Sequence, residues 1–333
     1  MTHPPDALLL AVADLGVSLQ TASSRVTALR NVDFSIGRGA TLGLIGESGC
    51  GKSTTALAIM GLLPANAALS GSIKLGGQEL IKLPDSAMSV LRGNRIAMVF
   101  QEPMTALNPL HTVGDQIAEP LRVHRAMPRR AAQAEALRLL DRVRMPQAAQ
   151  RLNAYPHQLS GGQRQRVSIA MALACGPDLL IADEPTTALD ATIQREILDL
   201  IAELVAERGM ALLMISHDLG VMARTATRVL VMYAGSIVES GPTADVFARP
   251  AHPYTKGLLK ARPSLATPRI DGRKPRLDTI PGRVPDLADL PTGCAFADRC
   301  PSAIAACRLQ FPEMARAGPD HSARCIRLNT LPP

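Results

Sequence analysis

The stretch Gly46-Glu-Ser-Gly-Cys-Gly-Lys-Ser-Thr54 decides how this chain folds. It follows the pattern G-x-x-x-x-G-K-[ST], a phosphate-cradling loop when a strand leads into it and a helix leads out. Both flanks are present. Thr41–Ile45 is an apolar strand, and the segment from Thr54 to Leu63 has helical character and stops at Pro64. The glycines let successive backbone N–H groups turn inward toward phosphate oxygens. The helix N-terminus adds partial positive charge at the same point. Lys52 is expected to reach the β- and γ-phosphates, and the Ser53 hydroxyl to ligate Mg²⁺. Gly46, Glu47, Ser48, Gly49, Cys50, Gly51, Lys52, Ser53 and Thr54 are all assigned to the nucleotide site. Cys50 reads as a small filler of the loop; the sharper alternative is a thiol with a lowered pKa beside a helix N-terminus, whose alkylation blocks nucleotide binding.

Other strand ends carry the remaining chemistry. Leu180-Ile-Ala-Asp-Glu-Pro185 is an apolar strand ending in two carboxylates. Beside a P-loop, Asp183 is expected to hold Mg²⁺ and Glu184 to polarise the attacking water. His217, in Ile215-Ser-His-Asp218, ends a further strand and is expected to contact the γ-phosphate. Gln101 ends the strand Ile96–Phe100, where its amide completes the Mg²⁺ shell or orients water. In parallel sheets the strand C-termini line the ligand crevice.

Apolar residues make up 47% of the 333, enough for a large core, and with 2% aromatics that core must be aliphatic. No apolar run approaches the length of a bilayer span, and the first residues lack the basic start of a secretory signal. These features predict a soluble, cytosolic protein. Of 36 Lys/Arg and 29 Asp/Glu, 14 and 7 fall from Arg249 onward, leaving 22 of each before it. The +7 net charge therefore lies wholly in the C-terminal quarter. The tail is read as a solvated basic surface, with nucleic-acid or lipid-headgroup contact as the alternative.

Strand character is expected at Leu8–Val17, Asn31–Ile36, Leu179–Ala182, Ala211–Ile215 and Val229–Tyr233, and a hairpin at Ile73–Leu75 before Gly76-Gly77. Residues 112–174 read as mostly helical. One helix begins near Met127-Pro128, with Ala134, Leu137 and Leu140 as its apolar face. Another opens at Leu159-Ser-Gly-Gly-Gln163, and a third carries Ile193, Ile197, Leu198, Ile201, Leu204 and Val205 before Gly209. Alternating strands and helices predict a parallel-rich α/β core with a helical insertion at about 102–175. From Gly241-Pro242 onward prolines punctuate a loop-rich C-terminal region, Pro263, Pro268 and Pro275 among them.

Leu159-Ser-Gly-Gly-Gln163 resembles the signature of the ABC ATPases. Together with the P-loop, Gln101, Asp183-Glu184, the loop Ala188-Leu189-Asp190 and His217, it makes residues 1–248 similar to that family throughout. Gln101-Glu-Pro-Met-Thr-Ala-Leu-Asn-Pro109, His252-Pro-Tyr-Thr255, Ile280-Pro-Gly282, Leu290-Pro-Thr-Gly-Cys294 and Ala295-Phe-Ala-Asp-Arg-Cys300 resemble the oligopeptide/dipeptide importer branch. The resemblance implies an ABC-type P-loop NTPase core and a small cysteine-containing C-terminal domain over 249–333. It implies ATP hydrolysis that drives uptake through two membrane permease subunits, fed by an extracytoplasmic binding protein. It places the chain on the cytoplasmic face of the inner membrane, with no nucleic-acid partner. It also implies a head-to-tail dimer of ATPase subunits, in which Ser160, Gly161, Gly162, Gln163 and Asp190 of one subunit finish the nucleotide site of the other. A helix N-terminus bearing Ser160-Gly-Gly162 is a second phosphate cradle, and one chain does not close both cradles on one γ-phosphate. One departure stands out: Gly16–Gln20 lacks the aromatic on which the family stacks adenine.

Cys294, Cys300, Cys307 and Cys325 fall in the tail, spaced unlike zinc fingers or ferredoxin runs. Spacing alone leaves a metal site or a set of buried thiols. The family resemblance implies a [4Fe–4S] cluster ahead of zinc. Cargo stays open between peptides, nickel, glutathione and peptide-like antibiotics. A transport-independent ABC ATPase is the other class.

Overall fold

The computed structural model describes residues 8–21, 24–102, 106–187, 189–261, 279–328 and 330. Ala188, the 103–105 part of the Gln101 stretch, and Pro263, Pro268 and Pro275 lie outside the described residues. The strands are β1 Leu8–Gln20, β2 Arg25–Gly37, β3 Thr41–Ile45, β4 Ala67–Leu75, β5 Gln78–Glu79, β6 Ile96–Val99, β7 Leu179–Asp183, β8 Ala211–Ile215, β9 Arg228–Tyr233, β10 Ser236–Pro242, β11 Ala315–Arg316 and β12 Ser322–Ala323. The helices are α1 Lys52–Met60, α2 Asp85–Leu91, α3 Val113–Arg125, α4 Arg129–Arg142, α5 Ala148–Arg151, α6 Gly161–Leu173, α7 Ala191–Arg208, α8 Leu219–Thr225, α9 Thr243–Ala248 and α10 Pro253–Lys260.

Eight strands form the central sheet in the order β11-β12-β10-β9-β3-β8-β7-β6. Its middle is parallel: β3 pairs with both β8 and β9, and β7 with β8 and β6. These strands read as continuous apolar runs because both faces are covered. The two faces divide the residues with a period of two. Ala97, Val99, Leu180, Ala182, Leu212 and Met214 face the side of α3–α7. Ile96, Met98, Leu179, Ile181, Leu213 and Ile215 face the other side, where a second sheet lies. That sheet is antiparallel, in the order β2-β1-β4-β5, and includes the expected hairpin at Gly76-Gly77. Among the described residues no helix is long and apolar enough to cross a membrane.

Two local expectations change. In α4 the buried residues are Ala132, Ala136, Leu139 and Leu140, while Ala134 is exposed and Leu137 half-buried. The apolar stripe is turned because α4 packs against both α3 and α6. The basic tail is also not simply a solvated face. Arg299 and Arg308 pair with Glu47 and Asp298, and Arg324 and Arg327 cap the backbone carbonyls of Ile237, Pro312 and Ser302. Arg30 and Arg324 sandwich the Phe311 ring. Four of the tail's arginines therefore help to fix this segment.

That segment is joined to the main sheet and its core. β12 pairs antiparallel with β10, and Tyr254 and Phe296 are buried in the same apolar cluster as α3–α7. At the junction Glu239 of β10 is wholly buried. Its carboxylate accepts the backbone N–H groups of Ala251 (2.7 Å) and His252 (2.8 Å) and lies 2.6 Å from His321 Nε2. A buried carboxylate with its acceptor sites occupied in this way is tolerated where an unpaired one is not. Burial pushes the pKa of the neighbouring His252 down to about 4, so its ring stays neutral and its Nδ1 accepts the Tyr254 N–H.

Candidate active site

The P-loop bridges β3 and α1, at the C-terminal edge of the parallel strands. Its path requires glycine at two kinds of position. A Cβ on Gly46 would lie 2.3 Å from the Met232 carbonyl oxygen and 2.6 Å from Cys50 Sγ. Gly49 and Gly51 have φ of 79° and 108°, where other residues are strained. Gly51 caps α1, whose N-terminus points into the loop. Lys52 is buried, and its ammonium donates to the carbonyls of Gly46 (2.9 Å) and Glu47 (3.2 Å). A cavity of about 510 Å³ lined by Gly46, Glu47, His217 and Asp218 opens beside the loop.

Glu184 stands at the centre. Its Oε2 accepts from Thr187 Oγ1 (3.0 Å) and Gln101 Nε2 (3.5 Å) and lies 3.1 Å from His217 Nδ1. Its Oε1 is 3.9 Å from the Lys52 ammonium. The four residues read as catalytic in the sequence thus meet at one carboxylate. Glu184 has φ of 46°, a left-handed conformation costing about 1–3 kcal/mol that persists where the surroundings impose it. Here its N–H is tied to the Ile215 carbonyl and its side chain to the three groups above.

Asp183 is buried beside it. Burial raises its pKa, against a lowering by a hydrogen bond with the Ser53 side chain. Its Oδ1 has no partner. A buried carboxylate oxygen without a donor, next to the Ser53 hydroxyl, is the donor set that a hard divalent cation takes. Ser53 and Asp183 therefore fit Mg²⁺, while Gln101 is held on Glu184.

Ser160 begins α6 with a reciprocal capping box: its hydroxyl accepts the Gln163 N–H, and the Gln163 side chain accepts the Ser160 N–H. Ser160 and Gly161 are exposed. Gly162 is needed for packing, since a Cβ there would meet Ile193 of α7 at 2.8 Å. Among the described residues this turn's hydrogen bonds are internal, and none links it to the P-loop of its own chain. Asp190 likewise is occupied locally, capping α7 through the N–H groups of Thr192 and Ile193.

Cys50 fits the filler reading and not the reactive one. It is fully buried under the loop, and desolvation pushes its thiol pKa up, outweighing the lowering by Lys52. The helix terminus does not make it a reactive thiolate, because the sulfur faces protein rather than water.

Cys294, Cys300, Cys307 and Cys325 line one pocket with Phe296 and His252. Burial, and then the neighbouring thiols, push Cys294 up to about 11. Burial likewise pushes the thiols of Cys300 and Cys325 up. Among the described residues no group of three or more His, Cys, Asp and Glu is arranged to hold a metal ion, the four tail cysteines included.

A P-loop, a strand-terminal Asp-Glu pair, a histidine on the next strand and an outward-facing Ser-Gly-Gly helix start define an ATP-hydrolysing cassette. Residues 29–187 match the family described as "ABC transporter", and residues 238–307 match "Oligopeptide/dipeptide transporter, C-terminal region". A putative peptide import ATP-binding protein of Brucella melitensis is 52% identical over 327 residues, covering 96% of this chain and 97% of that one. The oligopeptide transport ATP-binding protein of Salmonella typhimurium is 47% identical over 323 residues, 97% and 95% of the two chains. A solved dimeric ATP-binding cassette in a post-hydrolysis state, bound to ADP and phosphate, superposes with a TM-score of 0.64 at 29% identity, over 71% of this chain and 99% of that one. The chain belongs to the ABC transporter ATP-binding proteins, in the oligopeptide/dipeptide branch, and is a transport-coupled ATPase.

Proposed function

We propose that this chain is the ATP-hydrolysing subunit of an importer for di- and oligopeptides. It sits peripherally on the cytoplasmic face of the membrane, against two permease subunits supplied by an extracytoplasmic binding protein. The observation that carries the chemistry is the convergence of Lys52, Gln101 and His217 on Glu184, beside the partnerless oxygen of Asp183. Glu184 takes a proton from water as that water's oxygen bonds to the γ-phosphorus and the bond to the β–γ bridging oxygen breaks. Lys52 moves from the loop carbonyls to the developing negative charge. His217 holds the carboxylate and faces the γ-phosphate. Ser53, Asp183 and Gln101 would hold Mg²⁺, which would neutralise charge at the phosphates. The exposed Ser160-Gly-Gly162 turn, with Asp190, closes on the nucleotide of a second ATPase subunit, a copy or a homologue, in head-to-tail fashion. ATP joins the two and hydrolysis frees them, a two-state element biased by one phosphate.

The peptide cargo is supported by near-full-length similarity to relatives named as peptide importers. In cells that carry the protein, deleting its gene should abolish uptake of radiolabelled di- and oligopeptides. The wild-type gene should restore uptake and a Glu184→Gln gene should not. Undiminished peptide uptake with lost nickel or glutathione uptake would move the cargo to that alternative.

The four tail thiols are proposed to hold a [4Fe–4S] cluster with a structural role. What supports this is their convergence on one apolar pocket. Anaerobically purified protein should contain iron and acid-labile sulfide in equal amounts, with visible charge-transfer absorbance. Stoichiometric zinc without iron rejects the cluster.

A further inference from the structure

We infer that Arg299 is a positioning residue of the P-loop, clamping Glu47 from the cysteine-bearing tail so that the loop presents its cradle, and not a negative charge, to the nucleotide. The inference rests on the ATPase reading above. Glu47 is the second residue of the phosphate loop, and 252 residues separate it from Arg299. The Arg299 guanidinium meets the Glu47 carboxylate with both ends, Nη1 to Oε2 at 2.7 Å and Nη2 to Oε1 at 3.1 Å. Its Nε donates to the Pro281 carbonyl at 2.9 Å, and the cation lies near the rings of Tyr233 and Phe296. The side chain is 6% exposed, so water screens this pair little. A third contact comes from the same segment: Tyr254 Oη, fully buried in α10, accepts the Glu47 N–H at 2.8 Å. The tail therefore holds both the backbone and the side chain of one P-loop residue.

Two physical consequences follow. The planar fork fixes the orientation of Glu47, and so the entry of the chain into the loop, in a way that a lysine's point charge does not. It also neutralises a carboxylate that would otherwise sit beside a triphosphate and repel it. Arg299 directly precedes Cys300 in a turn closed by the Arg299 N–H to Phe296 carbonyl bond, so the cysteine pocket and the nucleotide loop share one short stretch of chain.

The test is equilibrium binding of mant-labelled ATP, ADP and AMP to the full-length chain with Mg²⁺. Arg299→Met should weaken ATP binding about tenfold or more, with the loss shrinking from ATP to ADP to AMP. Glu47→Gln in the same protein should restore most of the affinity by removing the uncompensated charge, and Arg299→Lys should recover part of it. A merely structural role for Arg299 predicts neither the phosphate grading nor the rescue. Parent-like ATP affinity in Arg299→Met, or a double variant as weak as the single, overturns the clamp. If Arg299→Met does not fold, Tyr254→Phe carries the test: it deletes one hydroxyl and should weaken ATP binding several-fold, whereas unchanged affinity overturns the inference. A parent chain that binds no ATP while adopting its fold overturns instead the ATPase reading on which the clamp depends.

Discussion

Glu184→Gln protein should bind MgATP at least as well as the parent and hydrolyse it at least about a hundredfold more slowly. The substitution keeps the shape of the side chain and an oxygen that can accept from Thr187, now 3.0 Å from Oε2. It removes the group that takes the proton from water. It also removes a negative charge 3.9 Å from the Lys52 ammonium, leaving that cation free for the phosphates. Binding is read by nucleotide fluorescence and hydrolysis by phosphate release. Near-normal turnover in the variant refutes Glu184 as the base and shifts attention to His217, which lies 3.1 Å away. The effect is large because no neighbouring group replaces the carboxylate. The other contacts of Oε2 are an alcohol, an amide and an imidazole that stands 64% exposed.

The parallel core and the catalytic set were readable because each functional residue directly follows an apolar run. Gly46 follows Ile45, Glu184 follows the Leu179–Asp183 strand, and His217 lies two residues past Ile215. A parallel sheet delivers such residues to one edge whatever the loops between them do. The signature turn was equally legible, since Ser160 with Gln163 is a local capping box that needs no tertiary partner. What stayed hidden depends on distant chain. The antiparallel sheet needs β1 to lie between β2 and β4, and that pairing has no local mark beyond strand character. β12 adds to β10 across more than eighty residues, so a proline-rich tail turns out to be stitched to the main sheet. For Cys50 the sequence left a filler and a reactive thiol both open, because helix-terminus electrostatics is a local cue, whereas its burial comes from the way the loop folds over it. The Glu47–Arg299 pair was illegible for the same reason: its partners lie 252 residues apart. Asp190, expected at the nucleotide, is fully explained within one subunit as a helix cap, and only a facing chain can give it a further role.

The central claim is that this chain holds half of each ATP site and supplies the other half through Ser160-Gly-Gly162. The most direct measurement compares Ser160→Arg in two settings: ATP affinity of the isolated chain, and ATP turnover of the transporter assembled with its permease and ATPase partners. An arginine at this exposed cap fills the second phosphate cradle while costing the helix only about 0.5–2 kcal/mol. Affinity of the isolated chain should be unchanged, because the turn's hydrogen bonds are its own. Turnover at the facing site in the assembled transporter should fall by about tenfold or more, as a preorganised donor set aimed at the γ-phosphate is lost. Full turnover at that site would contradict the account, since the phosphate would then be completed by something other than this helix start.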